Sequence, residues 1–304
     1  MRTEPKTRRS AAALLPGLLF LLVSPHAWGA IKTPRVAHTA SLLPSGDVLI
    51  AGGSNYLTAG ALQSAELFLS ASGPDYFDLG AAAMTVARAS HTATVLTNGK
   101  VLLAGGRDGT AAGVNNTAEI YDPELRTFTA VVGTMVRRFN HTATLLNNGT
   151  VLLCGGQGVG AGFAALSSCD YYAPNGVTTP AGALCGAANG CLSVGPSMTV
   201  ARAMHTATLL KDGKVWIAGG YGISGTYNWL STSEKYNPTT NAFGSAANLT
   251  EARGMHTAVH RPGQRGKTPL DGRREIVGVG RMVVGFDTLH AAPARIVEMD
   301  ADEN

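Results

Sequence analysis

The chain has 304 residues, 45% of them hydrophobic and 14% charged, with 38 glycines and a formal charge of +4. So much apolar material excludes a disordered chain, and abundant glycine with few charges favours short strands and tight turns over helices. The charge excludes a global electrostatic attraction to nucleic acid or an anionic membrane: residues 1–29 hold four basic groups and one acidic group, a net +3 that leaves +1 on the remainder.

The chain opens with a basic stretch, "MRTEPKTRRS", then a short apolar run, "AAALLPGLLFLLV", then small residues in "SPHAWGA". This layout predicts a secretory signal peptide over 1–29, with Ala27 and Gly29 at the small-residue positions and cleavage near Gly29–Ala30. The apolar run is too short to cross a bilayer comfortably and no second one follows, so no membrane span is expected after cleavage. The mature chain, residues 30–304, is expected to be secreted or to lie in the periplasm or cell envelope.

From Arg35 a unit begins that recurs along the chain. "RVAHTASLLPSGDVLIAGG" starts at Arg35, "RASHTATVLTNGKVLLAGG" at Arg88, "RFNHTATLLNNGTVLLCGG" at Arg138 and "RAMHTATLLKDGKVWIAGG" at Arg202, and "RGMHTAVH" starts a fifth copy at Arg253. The histidines His38, His91, His141, His205 and His256 are 53, 50, 64 and 51 residues apart. A period near 50 marks a repeat architecture, with units near 35–83, 88–134, 138–198, 202–248 and 253–304.

Within a unit, "HTATVL" and "KVLLAGG" are aliphatic and β-branched, so they predict two strands. Asn-Gly or Asp-Gly joins them in most copies and predicts a tight hairpin. The Gly-Gly pair ends the second strand where the backbone must bend or meet a neighbour closely. After a variable loop comes a third strand, "QSAELFL", "NTAEIYD", "SSCDYYA" or "STSEKYN", and a fourth carries Phe77, Phe128 or Phe243.

The Gly-Gly pair, the "EIYDP"-type third strand, the aromatic fourth strand and the Met-x-x-x-Arg approach at Met84–Arg88 and Met198–Arg202 together resemble the kelch family. The wording "HTATLL…GKVLLAGG" is similar to bacterial secreted kelch proteins and to the propeller domain of galactose-oxidase-like proteins. The resemblance implies an all-β, kelch-type β-propeller in which each unit is a four-stranded blade with "HTATVL" innermost. Five blades are recognisable and the last is degenerate, so the ring either closes at five or is incomplete. The fourth-strand aromatic is Phe where kelch units usually carry Trp.

A histidine three residues after an arginine in every copy belongs to the unit. Arg35, Arg88, Arg138, Arg202 and Arg253, with the five histidines, are therefore expected to be structural, the arginines bonding carbonyls or the Glu66, Glu119, Asp170 and Glu234 series at blade junctions. The alternative is a ring of imidazoles or guanidiniums at the channel mouth that binds a metal or a carboxylate. A metal site usually breaks repeat symmetry, so no metal is expected.

Cys154, Cys169, Cys185 and Cys191 lie close together. "CGAANGC" predicts a Cys185–Cys191 disulfide, and Cys154 and Cys169 fall on neighbouring strands where a second bridge is possible. A zinc site is the alternative, and it lacks a paired C-x-x-C.

Catalytic signatures are weak. "GGQGVGAG" follows a strand but opens no helix, so it reads as a blade loop and not as a dinucleotide loop. The galactose-oxidase resemblance implies copper ligands that include an adjacent Tyr-His pair, which this chain lacks, so no cofactor is expected. Loops carry binding on such scaffolds. The candidate binding residues are Tyr56 in the loop 54–62 and Tyr221, Tyr227 and Trp229 in the loop 221–230, beside a cysteine-bearing insertion over 173–198. The expected function is an exported binding or scaffold protein that recognises a glycan or a protein. The alternative is a carbohydrate-active enzyme of the kelch-propeller type, a sugar epimerase or oxidase. After His260 the unit loses its Gly-Gly pair and gains a basic hairpin, which predicts a weaker last blade.

Overall fold

Each unit follows its turn with four consecutive apolar residues, and such a run reads as a strand covered on both faces. The computed structural model describes residues 31–55, 60–69, 76–78, 82–110, 113–160, 162–224 and 226–258. The first blade comprises β1 (Thr39–Leu42), β2 (Val48–Ala51), a small hairpin of β3 (Ser54–Asn55) and β4 (Gly60–Ala61), then β5 (Ala65–Leu69) and β6 (Tyr76–Asp78). The second comprises β7 (Thr92–Val95), β8 (Val101–Ala104), β9 (Ala118–Asp122) and β10 (Thr127–Ala130). The third comprises β11 (Thr142–Leu145), β12 (Val151–Cys154), β13 (Ser168–Ala173) and β14 (Cys191–Ser197). The fourth comprises β15 (Thr206–Leu209), β16 (Val215–Ala218), a hairpin of β17 (Tyr221–Ser224) and β18 (Thr226–Trp229), then β19 (Ser233–Asn237) and β20 (Ala242–Ser245).

Each blade is a four-stranded antiparallel sheet in chain order, and the inner strands β1, β7, β11 and β15 lie side by side from blade to blade. The described residues contain no helix. This is an all-β propeller architecture, with four whole blades described and a fifth unit described as far as Ala258.

The second strand of each blade shows why its sequence is continuously apolar. In β8, Val101 and Leu103 pack toward the first blade with Leu49, Leu67 and Met84, while Leu102 and Ala104 pack toward the third with Val151 and Leu153. In β12, Leu152 and Cys154 turn to the fourth blade, and in β16 Trp216 and Ala218 turn to Leu249. The two-residue period of a strand thus feeds two separate inter-blade cores, one per face. The core of this molecule lies between the sheets.

Two expectations need correction or placement. The stretch 173–198 is not all insertion. From Cys191 onward it is the outer strand β14, pairing Leu192 with Tyr172 and Val194 with Asp170 across a bulge near Ser168. β14 carries no aromatic, so the usual mark of a fourth strand is missing there. The segment 1–29 expected to be a signal peptide, Tyr56 and the last unit beyond Ala258 lie outside the described residues.

Candidate functional site

In the four described blades the repeated arginine is buried and works within its own blade, whereas Arg253 is partly exposed and pairs with Glu251. Arg88 and Glu119 have fully buried side chains and pair at 2.9 Å. Arg88 Nη1 donates to the carbonyls of Gly105 (2.8 Å) and Thr117 (2.9 Å), Nη2 donates to Thr117 Oγ1, and Nε donates to Glu119 (3.0 Å). Glu119 also accepts from the backbone N–H of Thr85 and Val86, which pins the segment entering the blade. Arg35–Glu66, Arg138–Asp170 and Arg202–Glu234 repeat the ion pair and the two carbonyl bonds from Nη1, whereas Nε turns to the Thr33 carbonyl in Arg35 and is buried without a partner in Arg138 and Arg202. The partners are the carbonyls and the Glu66, Glu119, Asp170 and Glu234 series that the sequence suggested, but they lie within one blade and not at a junction, so the side chains tie its second and third strands to its own lead-in.

The junction is made by backbone and histidine. Gly53, Gly106, Gly156 and Gly220 donate their N–H to the carbonyls of Arg88, Arg138, Arg202 and Arg253 in the next unit. A Cβ on Gly105 (φ +63°) would lie 2.5 Å from the Arg138 carbonyl oxygen and 2.9 Å from Cε1 of His141, so only glycine admits the neighbouring blade there. Nε2 of His91, His141, His205 and His256 shares a hydrogen bond with the hydroxyl of Thr39, Thr92, Thr142 and Thr206 in the preceding blade, at 2.9–3.0 Å. The residue before each histidine, among them Ser90, Asn140 and Met204, takes a left-handed φ near +53° and donates its N–H to its counterpart one blade back.

Burial, aided by the nearby arginine charge, lowers these histidines. His91 and His205 fall to about 3, His256 to about 4, and His141 well below the usual range. Nδ1 of each ring is buried without a hydrogen bond of good geometry, although the carbonyl three residues back still favours the protonated ring at His91 and His205. The three imidazoles of His91, His141 and His205 are therefore neutral groups wedged between blades.

Symmetry breaks in the loops beyond the Gly-Gly pairs. The next residue in each is Ser54, Arg107, Gln157 or Tyr221, and each pairs with the strand entering its blade, at Val36, Ala89, Phe139 and Ala203. The loops therefore gather at one end of the blades. Tyr221 and Trp229 face each other across the β17–β18 hairpin, with ring centroids 6.2 Å apart and planes at 82°. Tyr221 is only 5% exposed and forms a support, while Trp229 is 44% exposed and presents the open surface. Gly254 lies against the Trp229 ring, where a Cβ would come within 2.4 Å. Tyr227 sits on β18 opposite Ile223.

A second cluster was not singled out in the sequence. The Arg107 guanidinium carbon lies 5.4 Å from the Phe139 ring centroid and 4.8 Å from that of Phe163, and the two rings meet edge to face. Gln157 donates to the Phe163 carbonyl and accepts from Asn140. The signal was available: Phe139 is aromatic where the other units carry Val36, Ala89 and Ala203.

The cysteines form two disulfides, Cys154–Cys169 across the paired strands β12 and β13 and Cys185–Cys191 across the short loop. The copper set implied by the galactose-oxidase resemblance includes a Tyr–Cys crosslink, and all four thiols are already bridged. Among the described residues no three His, Cys, Asp or Glu side chains gather as a metal-binding group.

A family model of the kelch motif matches residues 88–133, which is the second blade from its arginine to the end of its outer strand. The other three described blades repeat the strand order of this one. Among solved structures, this chain is similar to YjhT, with 12% identity, 74% of each chain covered and a TM-score of 0.59, a likeness of fold. It also overlaps a fungal alcohol oxidase of the AA5 family solved with copper, at 16% identity and a TM-score of 0.46, spanning 74% of this chain and 56% of that one. No curated protein sequence matches.

Proposed function

We propose that this chain is an exported kelch propeller that binds a glycan or a protein through the loops at the Gly-Gly end of its blades. The observation that carries the reading is Trp229, an exposed indole braced edge-on by buried Tyr221 at the end where the loops gather. A fixed, open aromatic face suits the C–H face of a sugar or an apolar partner side chain. Arg107, flanked by Phe139 and Phe163, adds a cation at the same end of the scaffold, and Tyr56 and Tyr227 extend the set in the loops 54–62 and 221–230. Export is supported by the leader-like first 29 residues and by the two disulfides, which suit an oxidising compartment.

The test starts from the full chain expressed with its own leader, whose secreted product should begin at Ala30 by intact mass. That product is taken to a glycan array and to partner capture, alongside Trp229→Ala and Arg107→Ala. Loss of the captured ligand in Trp229→Ala at an unchanged melting temperature supports the reading. Binding that survives both changes overturns it. Turnover of a bound sugar would move the assignment to a carbohydrate-active enzyme.

A further inference from the structure

The Gly-rich stretch "GGQGVGAG" opens the loop of the third blade, and a disulfide stands at its root. Cys154, the last residue of β12, is bridged to Cys169, its register partner on β13. The same register position in the other described blades holds Ala51 opposite Ala65, Ala104 opposite Ala118 and Ala218 opposite Ser233. All of these residues are buried, so three blades pack the position without a bridge. β12 and β13 are also already joined by their hydrogen-bonded ladder. The bridge is therefore needed neither for the core nor for strand register. What it adds is a covalent closure at the root of residues 155–168.

That loop has little else to hold it. Five glycines fall within 155–162, and glycine has more backbone freedom to lose than any other residue. The corresponding loops of the first and fourth blades fold into the hairpins β3–β4 and β17–β18. In the second blade, Asn115 donates its carboxamide N–H to the Ala87 carbonyl, and Asp108 accepts from the N–H and hydroxyl of Thr110. Among its described residues the third-blade loop has no strand pair of its own, and it is tied across by the bridge between Gln157 and Ala165. Yet this loop carries Phe163, whose ring lies 4.8 Å from the Arg107 guanidinium carbon of the second blade and meets Phe139 edge to face. Arg107 Nη2 makes one long bond, 3.3 Å, to the Thr110 carbonyl, and its buried Nε makes none. The two rings therefore hold the guanidinium in place.

We propose that the Cys154–Cys169 disulfide is a positioning staple: it pre-organises the Gly-rich loop of the third blade, so that Phe163 fixes Arg107 of the second blade at the loop end. Ordering a glycine-rich loop only when a ligand arrives would subtract from affinity, and closing its root beforehand lowers that cost. This role rests on the loop end being the binding end, while its test needs no ligand, so either can fail without the other.

The experiment is amide exchange on the full chain with Cys154→Ala and Cys169→Ala made together, which copies the alanine pair of the first and second blades. A bridge that acts only on the unfolded chain lowers Tm and leaves native-state exchange in the loop as it was. A positioning staple does more: exchange at 157–160 and 163–166 should quicken about tenfold while β8 stays unchanged. The NMR signal of the Arg107 Nε–H should be ring-shifted and slow to exchange in the unaltered chain, and both properties should be lost in the double variant. Paired alanines at Cys185 and Cys191, which open the bridge in the β13–β14 loop, should change neither readout. In the unaltered chain, 157–160 and 163–166 should exchange no faster than 107–110 and 113–117 of the second blade. That comparison needs no variant and decides the matter if the double variant does not fold. Unchanged loop exchange in the double variant, an unmoved Arg107 signal, or faster exchange in the third-blade loop than in the second-blade loop of the unaltered chain each overturns the proposal. Equal quickening on loss of the Cys185–Cys191 bridge overturns it too, because the effect would then be a general loosening.

Discussion

Replacing Glu119 with Gln tests whether the buried arginine–carboxylate pair holds a blade together. The site has no slack. All five N–H groups of the Arg88 guanidinium have acceptors, and Glu119 takes two of them together with the N–H of Thr85 and Val86. A glutamine there would keep the shape, remove the charge and turn an NH₂ group toward one of these donors. Both side chains are fully buried, so water cannot compensate Arg88. Leaving such a charge unpaired costs roughly 3–5 kcal/mol. In a domain of this size each kcal/mol lowers Tm by about 2–4 °C, so a fall on the order of 10 °C is expected by differential scanning calorimetry. A cycle with Arg88→Met and the double variant should show coupling above about 0.5 kcal/mol. A Glu119→Gln protein melting within about 2 °C of the parent would refute the reasoning. So would single-site losses that simply add.

Two further outcomes follow from the junctions. Gly105→Ala forces a Cβ into a left-handed residue and against the Arg138 carbonyl, so it should cost at least about 1–2 kcal/mol in urea unfolding, whereas Gly149→Ala, at φ +85° with open space around it, should cost only the conformational part. Equal costs at the two positions would show that inter-blade contact is not what Gly105 protects. Stability should also fall in acid. His91 and His205 sit at about 3 in the folded chain against 6.5 when unfolded, so the unfolded chain binds more protons between those values. Their contribution is whole above pH 6.5 and is lost as pH falls toward 3, at up to roughly 1.4 kcal/mol per pH unit for each ring. His205→Gln should flatten the dependence of the urea midpoint on pH below neutrality, and an unchanged slope would mean that His205 titrates normally.

Much of the blade was legible because its signals are local. The Asn-Gly and Asp-Gly turns at Asn98, Asn148 and Asp212 each join two strands four residues long. Apolar runs such as "VLLA" at Val101 become strands covered on both sides. The third strands lie within two residues of where the sequence put them, as in Ala118–Asp122 within "NTAEIYD". β14 escaped because it has no aromatic and follows a loop stapled by Cys185–Cys191, so local chemistry read the whole stretch as loop.

What lay beyond the sequence was partnership at long range. A repeat shows that Arg88, Glu119 and His91 recur, and it does not show that Arg88 serves its own blade while His91 reaches back to Thr39, 52 residues away. Alternation along β8 shows two apolar faces, and only the packed blades show that one meets Leu67 and the other Leu153. The Arg107–Phe139–Phe163 cluster arises where one blade abuts the next. Secondary structure here follows from turns and periodicity within a few residues. The candidate sites follow from how separate blades meet, and that geometry is set by glycine clearance and core packing between segments roughly 50 residues apart.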